Sequence, residues 1–282
     1  LRVSLIDRCN LRCFYCMPEN PQFMTSDKWL SPKEIYAICK NLVSMGISEL
    51  RLTGGEPLLR PEFLEIAELL SELPLEKLAL TTNAIKLKNI LPALKQTNVR
   101  SINISLDSLN SENFSRITRY HSFSTVLEAV LAAKTAGFAV KINTILLKGI
   151  NDHEILDFIE FSRKYKIPVR FLESMKIGVM THDHAKYFIT ADEIIKRVQK
   201  HFILQPLTDA HDSTSFNFSL ADGAEIGFIA SESRPFCGQC SRLRMGPAGN
   251  IYPCLFVDQG PNLRNVAFAD YPQILSSLIA SK

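Results

Sequence analysis

The sequence predicts an α/β protein built on a sheet of parallel strands. Short β-rich runs alternate with amphipathic helical patterns as far as about residue 175. Six such βα units in succession are typical of parallel strands covered by helices. A closed or partly closed barrel and an open doubly wound sheet both fit this order, and either would gather its ligands at the carboxyl ends of the strands.

The elements follow from local signals along the chain. Strands are predicted near residues 1–6, 48–53, 77–82, 101–106, 139–146 and 168–173, and helices near 32–45, 61–72, 86–96, 123–136 and 152–165. Ser31 and Glu34 predict a capping box at the start of the first helix. Gly46 and Gly137 are expected to end the first and fourth helices, and Asn151 is expected to open the fifth.

The regular alternation ends near residue 175. Thr190 and Glu193 predict a second capping box and a helix to about residue 200, and strand-like runs follow near 214–220 and 225–230. We therefore divide the chain into a barrel domain, residues 1–180, and a C-terminal region, residues 181–282.

Composition argues against several classes of protein. A net charge of +3 is too small to indicate nucleic-acid binding. No apolar run reaches the roughly 18 residues of a membrane span, so no membrane partner is expected. Seven cysteines without a secretory signal argue against a disulfide framework and favour a cytoplasmic location.

Three cysteines at C-x3-C-x2-C spacing, Cys9, Cys13 and Cys16, directly follow the first strand. Soft thiolate ligands favour zinc or iron–sulfur centres. A structural zinc site needs four protein ligands, and the next cysteine, Cys39, fits an apolar helix face. Three thiolates on a four-iron cluster would leave one iron open to a small molecule. The alternatives are a zinc site completed from a distance and cysteines that only pack in a core.

A second triplet comprises Cys237, Cys240 and Cys254. The turn-forming stretch 246–250 is expected to bring Cys254 back to the other two. A zinc ribbon is the alternative, and it would need a further ligand such as His201 or His211.

Two arginines lie inside the second triplet. Arg242 and Arg244, two residues apart on an extended segment, point the same way. Their guanidinium groups suit phosphate oxygens. Arg2 and Arg51, near the starts of the first two strands, are expected to add to this charge.

Polar residues alternate along two neighbouring strands, which suggests a lumen that holds a polar ligand. Parallel strands that are buried on both faces normally consist of continuous apolar runs. The alternative is a face open to solvent. The residues concerned are Ser101, Asn103, Ser105 and Asp107 on one strand, and Lys141 and Asn143 on the next.

The second strand ends in Gly54-Gly55-Glu56-Pro57. Two glycines at the carboxyl end of a strand let the backbone approach a ligand closely.

The first triplet, with Tyr15 inside it, resembles the signature of radical S-adenosylmethionine (SAM) enzymes. With the second triplet and its embedded arginines, the chain is similar to the GTP 3′,8-cyclase family, which starts molybdenum cofactor biosynthesis. The resemblance runs nearly the whole chain, through residues 1–18, 51–60, 81–83, 103–109, 140–152, 169–178 and 236–256.

The resemblance implies a partial (β/α)6 TIM-like barrel with a C-terminal α+β extension that carries a second iron–sulfur site. It implies two [4Fe–4S] clusters, the first on Cys9, Cys13 and Cys16 and the second on Cys237, Cys240 and Cys254. The positions that match SAM contacts are Tyr15, Gly55, Ser105 and Met175. Those that match GTP contacts are Arg2, Arg51, Thr82, Lys141, Arg242 and Arg244. The first triplet and the last two arginines match the catalytic positions.

The activity implied is that of a radical SAM lyase acting on GTP. A radical made from SAM removes the 3′ hydrogen of the ribose, and C3′ then bonds to C8 of the guanine, giving (8S)-3′,8-cyclo-7,8-dihydroguanosine 5′-triphosphate. The implied partners are GTP and an electron donor such as flavodoxin or ferredoxin, and a homodimer fits the family. The alternatives are another radical SAM enzyme with an auxiliary cluster, such as a peptide-modifying one, and a non-catalytic iron–sulfur protein.

The sequence departs from the family pattern in three places. Ser241 stands where the family has Asn, and the stretch 212–216 replaces a Gly-Pro-Ala segment. The chain starts without Met and stops at Lys282 without the paired terminal glycines of the family. We expect either missing ends or a divergent relative.

Overall fold

Eleven strands pair into one sheet in the computed structural model, which describes residues 1–208 and 213–281. The strands are β1 (Arg2–Ser4), β2 (Glu49–Thr53), β3 (Lys77–Thr82), β4 (Val99–Ser105), β5 (Ala139–Leu146), β6 (Val169–Glu173), β7 (Gln205–Pro206), β8 (Phe216–Ser219), β9 (Glu225–Ile229), β10 (Arg244–Met245) and β11 (Ile251–Tyr252). His211, Asp212 and Lys282, which the sequence analysis names, lie outside the described residues.

Nine helices lie in the same described ranges, and most of them cover the sheet between consecutive strands. They are α1 (Pro32–Ser44), α2 (Phe63–Ser71), α3 (Leu87–Leu94), α4 (Ser111–Thr118), α5 (Phe123–Thr135), α6 (Ile155–Tyr165), α7 (His184–Tyr187), α8 (Ala191–Gln199) and α9 (Tyr271–Ala280). None of them has the length and apolar character needed to cross a bilayer.

Strands β1 to β6 lie side by side in chain order, and every neighbouring pair is parallel. The sheet runs from β11 at one end to β7 at the other without closing. This is an open, partial (β/α)6 barrel, and the predicted fold class is confirmed.

The C-terminal strands extend this sheet at both ends. β9 pairs in parallel with β6 and continues antiparallel through β8 to β7. β10 pairs in parallel with β1, and β11 turns back along β10. The C-terminal region therefore shares one sheet with the barrel. The division at residues 180 and 181 stays a prediction.

The two faces of the sheet differ in polarity. On the helix side, Leu52, Leu80, Ile102 and Ile142 are 0% exposed, and full burial of such a side chain contributes about 1.5–3 kcal/mol. On the other face, β4 and β5 present half-buried polar side chains, with Ser105 in register with Asn143. Since β4 and β5 lie in the middle of the sheet, this polar face lines the lumen, as predicted.

Most of the predicted helix starts and ends are found in the structure. Both predicted capping boxes form, and Gly46 and Gly137 take positive φ just after α1 and α5. The prediction for Asn151 is wrong, because α6 begins at Ile155. The Asn151 side chain instead donates to the carbonyls of Asp107 and Ile145 and so ties the ends of β4 and β5 together.

Candidate active site in the barrel lumen

The first cysteine triplet lies in the loop that follows β1. The amides of Arg12 and Phe14 donate to the carbonyls of Thr118 and Ile117, at 3.0 and 3.1 Å, which fixes the loop to the end of α4. A turn closed by the Cys16 amide and the Cys13 carbonyl, 2.9 Å apart, folds the last part of the triplet.

The three thiols are electrostatic neighbours. Burial raises the pKa of Cys13, and the charges of Asp107, Cys16 and Cys9 raise it further. Burial and the charge of Cys9 raise the pKa of Cys16 to about 11, and burial raises that of Cys9. Without a metal the thiols are therefore held protonated. A cationic iron centre would favour the thiolates instead.

The Gly-Gly-Glu-Pro turn packs directly on the cysteine loop. The Gly55 amide donates to the Ile6 carbonyl at 2.7 Å, and the Glu56 amide to the Arg8 carbonyl at 2.8 Å. A Cβ atom on Gly55 would overlap the Arg8 carbonyl group. The glycine therefore permits a close approach of this loop, where the sequence analysis expected the approach of a ligand.

Glu56 extends this contact to β3. Its carboxylate is buried and accepts from the Thr82 hydroxyl at 2.6 Å and the Asn83 amide at 2.7 Å. The Asn83 side chain lies 3.8 Å from the Cys9 sulfur and donates to Asn10 at 2.8 Å. The side chain of Thr82, a predicted GTP contact, thus serves this buried network on the helix side of the sheet.

The four predicted SAM contacts all lie at the carboxyl ends of strands. Tyr15 is in the cysteine loop, Gly55 follows β2, Ser105 ends β4 and Met175 follows β6. The Tyr15 hydroxyl donates to Asp107 at 2.5 Å. Burial raises the pKa of Asp107 to about 6, although the Tyr15 hydroxyl lowers it in part.

A second, smaller apolar cluster covers the cysteine loop. Ile117, Leu147, Ile150 and Met180 are buried together, with partly buried aromatic rings packed against them. The Phe14 and Tyr187 rings meet edge to face, with centroids 5.4 Å apart. The segment that follows β6 therefore packs on the cysteine loop, while Cys16 itself stays exposed.

A row of arginines crosses the opposite end of the lumen. Arg2 on β1 is in register with Arg51 on β2 and with Arg244 on β10. Residues in register on adjacent parallel strands point to the same face, so the structure brings these three predicted GTP contacts together.

The cations in this row repel one another. Burial lowers the pKa of Arg2, and the charges of Arg244, Arg242 and Arg51 lower it further. Burial is the main cause that lowers the pKa values of Arg51 and Lys141, and the positive charge of Arg170 lowers both further. Within the described residues, no carboxylate forms a salt bridge with the five predicted cations, which are Arg2, Arg51, Lys141, Arg242 and Arg244. The site is suited to an anion with several charges.

The second triplet adjoins this row. The Cys240 amide donates to the Cys237 carbonyl at 3.1 Å, and the Arg242 guanidinium lies 3.3 Å from the Cys240 sulfur. The charges of Cys254 and Cys240 both raise the pKa of Arg244, against the larger lowering by burial. The β10–β11 hairpin brings Cys254 back to this end, as predicted.

The two triplets flank opposite ends of the neighbouring strands β1 and β10. The first follows the carboxyl end of β1, and Cys240 precedes the amino end of β10, which is parallel to β1. Arg2 and Arg244, register partners at the starts of these strands, lie nearer the second triplet.

Two buried polar atoms on the lumen side fit a polar cofactor or substrate. The Asn143 Oδ1 atom, within β5, and the Ser174 Oγ atom, just after β6, are buried without a hydrogen-bond partner. Among the residues that the structure describes, no three His, Cys, Asp or Glu side chains are grouped closely enough to hold a metal ion. The thiolate chemistry of both triplets fits iron–sulfur ligation.

Two residues of the site were missed by sequence reasoning. Arg170 on β6 shares the lumen face with Asn143, its register partner, and its charge lowers the pKa of Arg51. Its place between the apolar residues Val169 and Phe171 was a signal that could have found it. Asn83 beside Cys9 had no comparable local signal.

Comparison with known proteins decides the family. Residues 3–162 match the Radical SAM superfamily, and residues 167–281 match the family described as Molybdenum Cofactor Synthesis C. A GTP 3′,8-cyclase of Synechocystis is 43% identical over 282 residues, covering 100% of this chain and 86% of that protein. The GTP 3′,8-cyclase of Aquifex aeolicus is 40% identical over 94% of this chain and 84% of its own. The chain belongs to the GTP 3′,8-cyclase family. As a radical SAM protein, this family member uses a [4Fe–4S] cluster and SAM.

Solved structures agree on the fold of this cyclase family member. Streptococcus suis SuiB bound to its precursor peptide SuiA superposes with a TM-score of 0.72 at 16% identity, over 96% of this chain and 63% of that one, which is less than two thirds of it. Native anSMEcpe with bound AdoMet gives 0.65 at 14% identity, over 99% and 82%. At such identities the likeness concerns the fold alone.

Proposed function

We propose that this protein is a GTP 3′,8-cyclase that converts GTP to (8S)-3′,8-cyclo-7,8-dihydroguanosine 5′-triphosphate, the first step of molybdenum cofactor biosynthesis. The observation that carries the proposal is the arginine row of Arg2, Arg51 and Arg244, which adjoins the second cysteine triplet on the lumen face of the sheet. These cations form no salt bridge with a carboxylate of the described residues, and a triphosphate supplies several negative charges that can pair with them.

The first triplet is proposed to hold the catalytic cluster. Cys9, Cys13 and Cys16 would hold a [4Fe–4S] cluster, which would supply the one-electron reduction that cleaves SAM. Tyr15, Gly55, Ser105 and Met175 are proposed to hold SAM, because they surround the same end of the lumen. The apolar cluster around Met180 packs on the cysteine loop and would limit the access of water to a reactive radical.

The other end is proposed to hold GTP. Arg2, Arg51, Lys141, Arg242 and Arg244 would bind mainly the triphosphate and ribose. Thr82 is proposed to act through Glu56, since its hydroxyl is engaged there. The second cluster, on Cys237, Cys240 and Cys254, would receive the guanine, which turns C3′ of the ribose toward the SAM end.

The remaining assignments are proposals about partners. A flavodoxin or ferredoxin is proposed as electron donor, and a homodimer as the assembly. The cytoplasmic location stays a prediction that cell fractionation would check.

The decisive experiment is anaerobic turnover with GTP deuterated at C3′. The proposal expects deuterium in 5′-deoxyadenosine and a cyclised nucleotide, from protein that binds about eight irons, four per cluster. Unlabelled 5′-deoxyadenosine, formed at a rate that GTP does not change, would contradict it. That result would favour the peptide-modifying alternative.

A further inference from the structure

A buried carboxylate ties together the segments that leave the carboxyl ends of the parallel strands β6 and β9. Glu173 is the last residue of β6 and is 2% exposed. One carboxylate oxygen accepts from the Glu232 and Ser233 amides, both at 2.9 Å. The other accepts from the Ala191 amide at 2.7 Å and from the Ser233 hydroxyl. Four donors therefore converge on one side chain.

The contact is reciprocal. The Lys176 amide donates to the Glu232 carboxylate at 3.2 Å. The segment after β6 and the segment after β9 thus exchange side-chain-to-backbone bonds in both directions. We call this arrangement the Glu173–Glu232 clasp. It takes over where the β6–β9 ladder ends, since the last registered pair is Leu172 with Ile229.

The clasp lies between two parts of the site. On one side, Met175 is held between Glu173 and Lys176, the two residues of that segment that make clasp bonds. On the other side, Ser233 is only four residues before Cys237. A buried carboxylate is costly unless it is fully hydrogen-bonded, and an apolar side chain could fill the same space. Unlike an apolar side chain, the carboxylate fixes the orientation of both segments, because its hydrogen bonds are directional.

We propose that Glu173 is a positioning residue that fixes the Met175 segment relative to the second cysteine triplet, so that a radical formed at one end meets its substrate at the other. The inference rests on the proposed function. A misplacement of about 1 Å can lower the rate of such a step on the order of a hundredfold. Radical formation itself depends on the first triplet, which the clasp does not touch.

The test uses Glu173→Gln in the full chain. The amide keeps the size of the side chain but replaces one acceptor oxygen with a donor, so at least one clasp bond is lost. The amount of 5′-deoxyadenosine formed per cyclised nucleotide should rise by about fivefold or more. At saturating SAM, which compensates for a displaced Met175, the rate of SAM cleavage should stay within about twofold, because the cysteines of the first triplet make no clasp bond.

The control is Glu193→Gln. Glu193 accepts from the Thr190 amide at the start of α8, the helix whose first residue, Ala191, donates to Glu173. Its side chain is exposed and makes no clasp bond. This control variant should leave the amount of 5′-deoxyadenosine per cyclised nucleotide unchanged. Simple destabilisation lowers cleavage and cyclisation together, so it does not move this ratio. If Glu173→Gln does not fold, Glu232→Ala, which removes only the bond from Lys176, takes its place with a smaller rise in the same direction.

A second readout is independent of turnover. In the protein without clusters, the backbone amides of residues 234–241 should exchange with deuterium faster in Glu173→Gln than in Glu193→Gln. Equal exchange and equal product ratios in the two variants would overturn the clasp. If the wild type makes no cyclised nucleotide, the proposed function fails, and the exchange comparison still decides whether the clasp holds the second triplet.

Discussion

Arg2, Arg51 and Arg244 lie side by side. Burial lowers the pKa of each, and the charge of at least one nearby arginine lowers it further. The charged forms are therefore destabilised in the free protein. A polyanion reverses this effect, because it adds attraction where only repulsion acts. Part of the binding free energy for a triphosphate thus comes from strain in the empty site.

We expect Arg51→Ala to raise the KM for GTP by about 10- to 100-fold, because charge-assisted hydrogen bonds contribute roughly 1.5–3 kcal/mol. The thermal stability of the free protein should not fall, since a repelling buried cation is removed. Arg100→Ala is the control, because Arg100 is exposed on β4, two strands away from β2 in the same sheet. An equal KM in the two variants, measured with saturating SAM, would contradict a role for Arg51 in binding.

At the scale of elements, contacts of Trp29 and Asp7 hold the loop that joins β1 to α1. Trp29 lies between the guanidinium groups of Arg8 and Arg60, 5.2 and 5.0 Å from the ring centroid. Asp7 accepts from the Met24 amide at 2.6 Å and from the Trp29 ring nitrogen at 3.3 Å. The cysteine loop therefore has little freedom even where no metal orders it.

Gly55→Ala tests this packing. Its Cβ would overlap the Arg8 carbonyl group, so the cysteine loop must shift, at a cost of about 1–3 kcal/mol. We expect the reconstituted variant to lose most of the roughly four irons of the first cluster, as measured by iron analysis, and to keep those of the second.

Gly246→Ala is the matched control for that variant. Its nearest neighbour, a Tyr252 ring carbon, would lie 3.4 Å away, which is ordinary contact. Full iron content in Gly55→Ala would show that the loop tolerates the displacement.

At the scale of the whole molecule, the C-terminal region is fastened to the first helix. The Arg264 guanidinium makes a paired contact with the Glu34 carboxylate, at 2.7 and 3.1 Å, and also reaches the carbonyls of Lys28 and Trp29. The hydrogen bond from Arg264 lowers the pKa of Glu34 to about 2. This contact closes the region around β10 onto the N-terminal part of the barrel.

A double-mutant cycle with Glu34→Gln and Arg264→Gln should give a coupling of about 1 kcal/mol at pH 7, a modest value because both side chains are about one-third exposed. Because the folded-state pKa of Glu34 is depressed, this coupling is fully present above about pH 4.5 and is lost as the pH falls toward 2. Urea unfolding at both pH values measures it. The same double-mutant cycle on the exposed pair Lys88 and Glu128 should give a coupling free energy close to zero. An equally small coupling between Glu34 and Arg264 would show that this contact does not fasten the C-terminal region to the first helix.

The correct predictions concern features that residues close together in the chain determine, such as helix caps and apolar helix faces. The capping residues Ser31 and Thr190 accept the expected bonds, and Cys39 is 0% exposed, as its apolar pattern indicates. Helix α4 was missed because its surface is polar and only Phe114 and Ile117 supply an apolar face. Its cap, Asn110, accepts from two backbone amides, and this was the available signal.

Long-range pairing was beyond sequence reasoning. The three residues of β1 carry no mark of their pairing with β10, which lies more than two hundred residues away along the chain. The sequence predicted that Arg2 and Arg51 add to the charge of Arg242 and Arg244, but only the register places Arg2 between Arg51 and Arg244. The direction of the Thr82 side chain likewise depends on its partner Glu56, and no local pattern encodes that contact.

The placement of β10 beside β1 also sets an order of events on the ribosome. One of the two neighbours of β1 is translated more than two hundred residues after β1 itself. A nascent chain thus carries the first cysteine loop long before it has the strand that extends the sheet beside β1. That edge of β1 is paired only once β10 has been made.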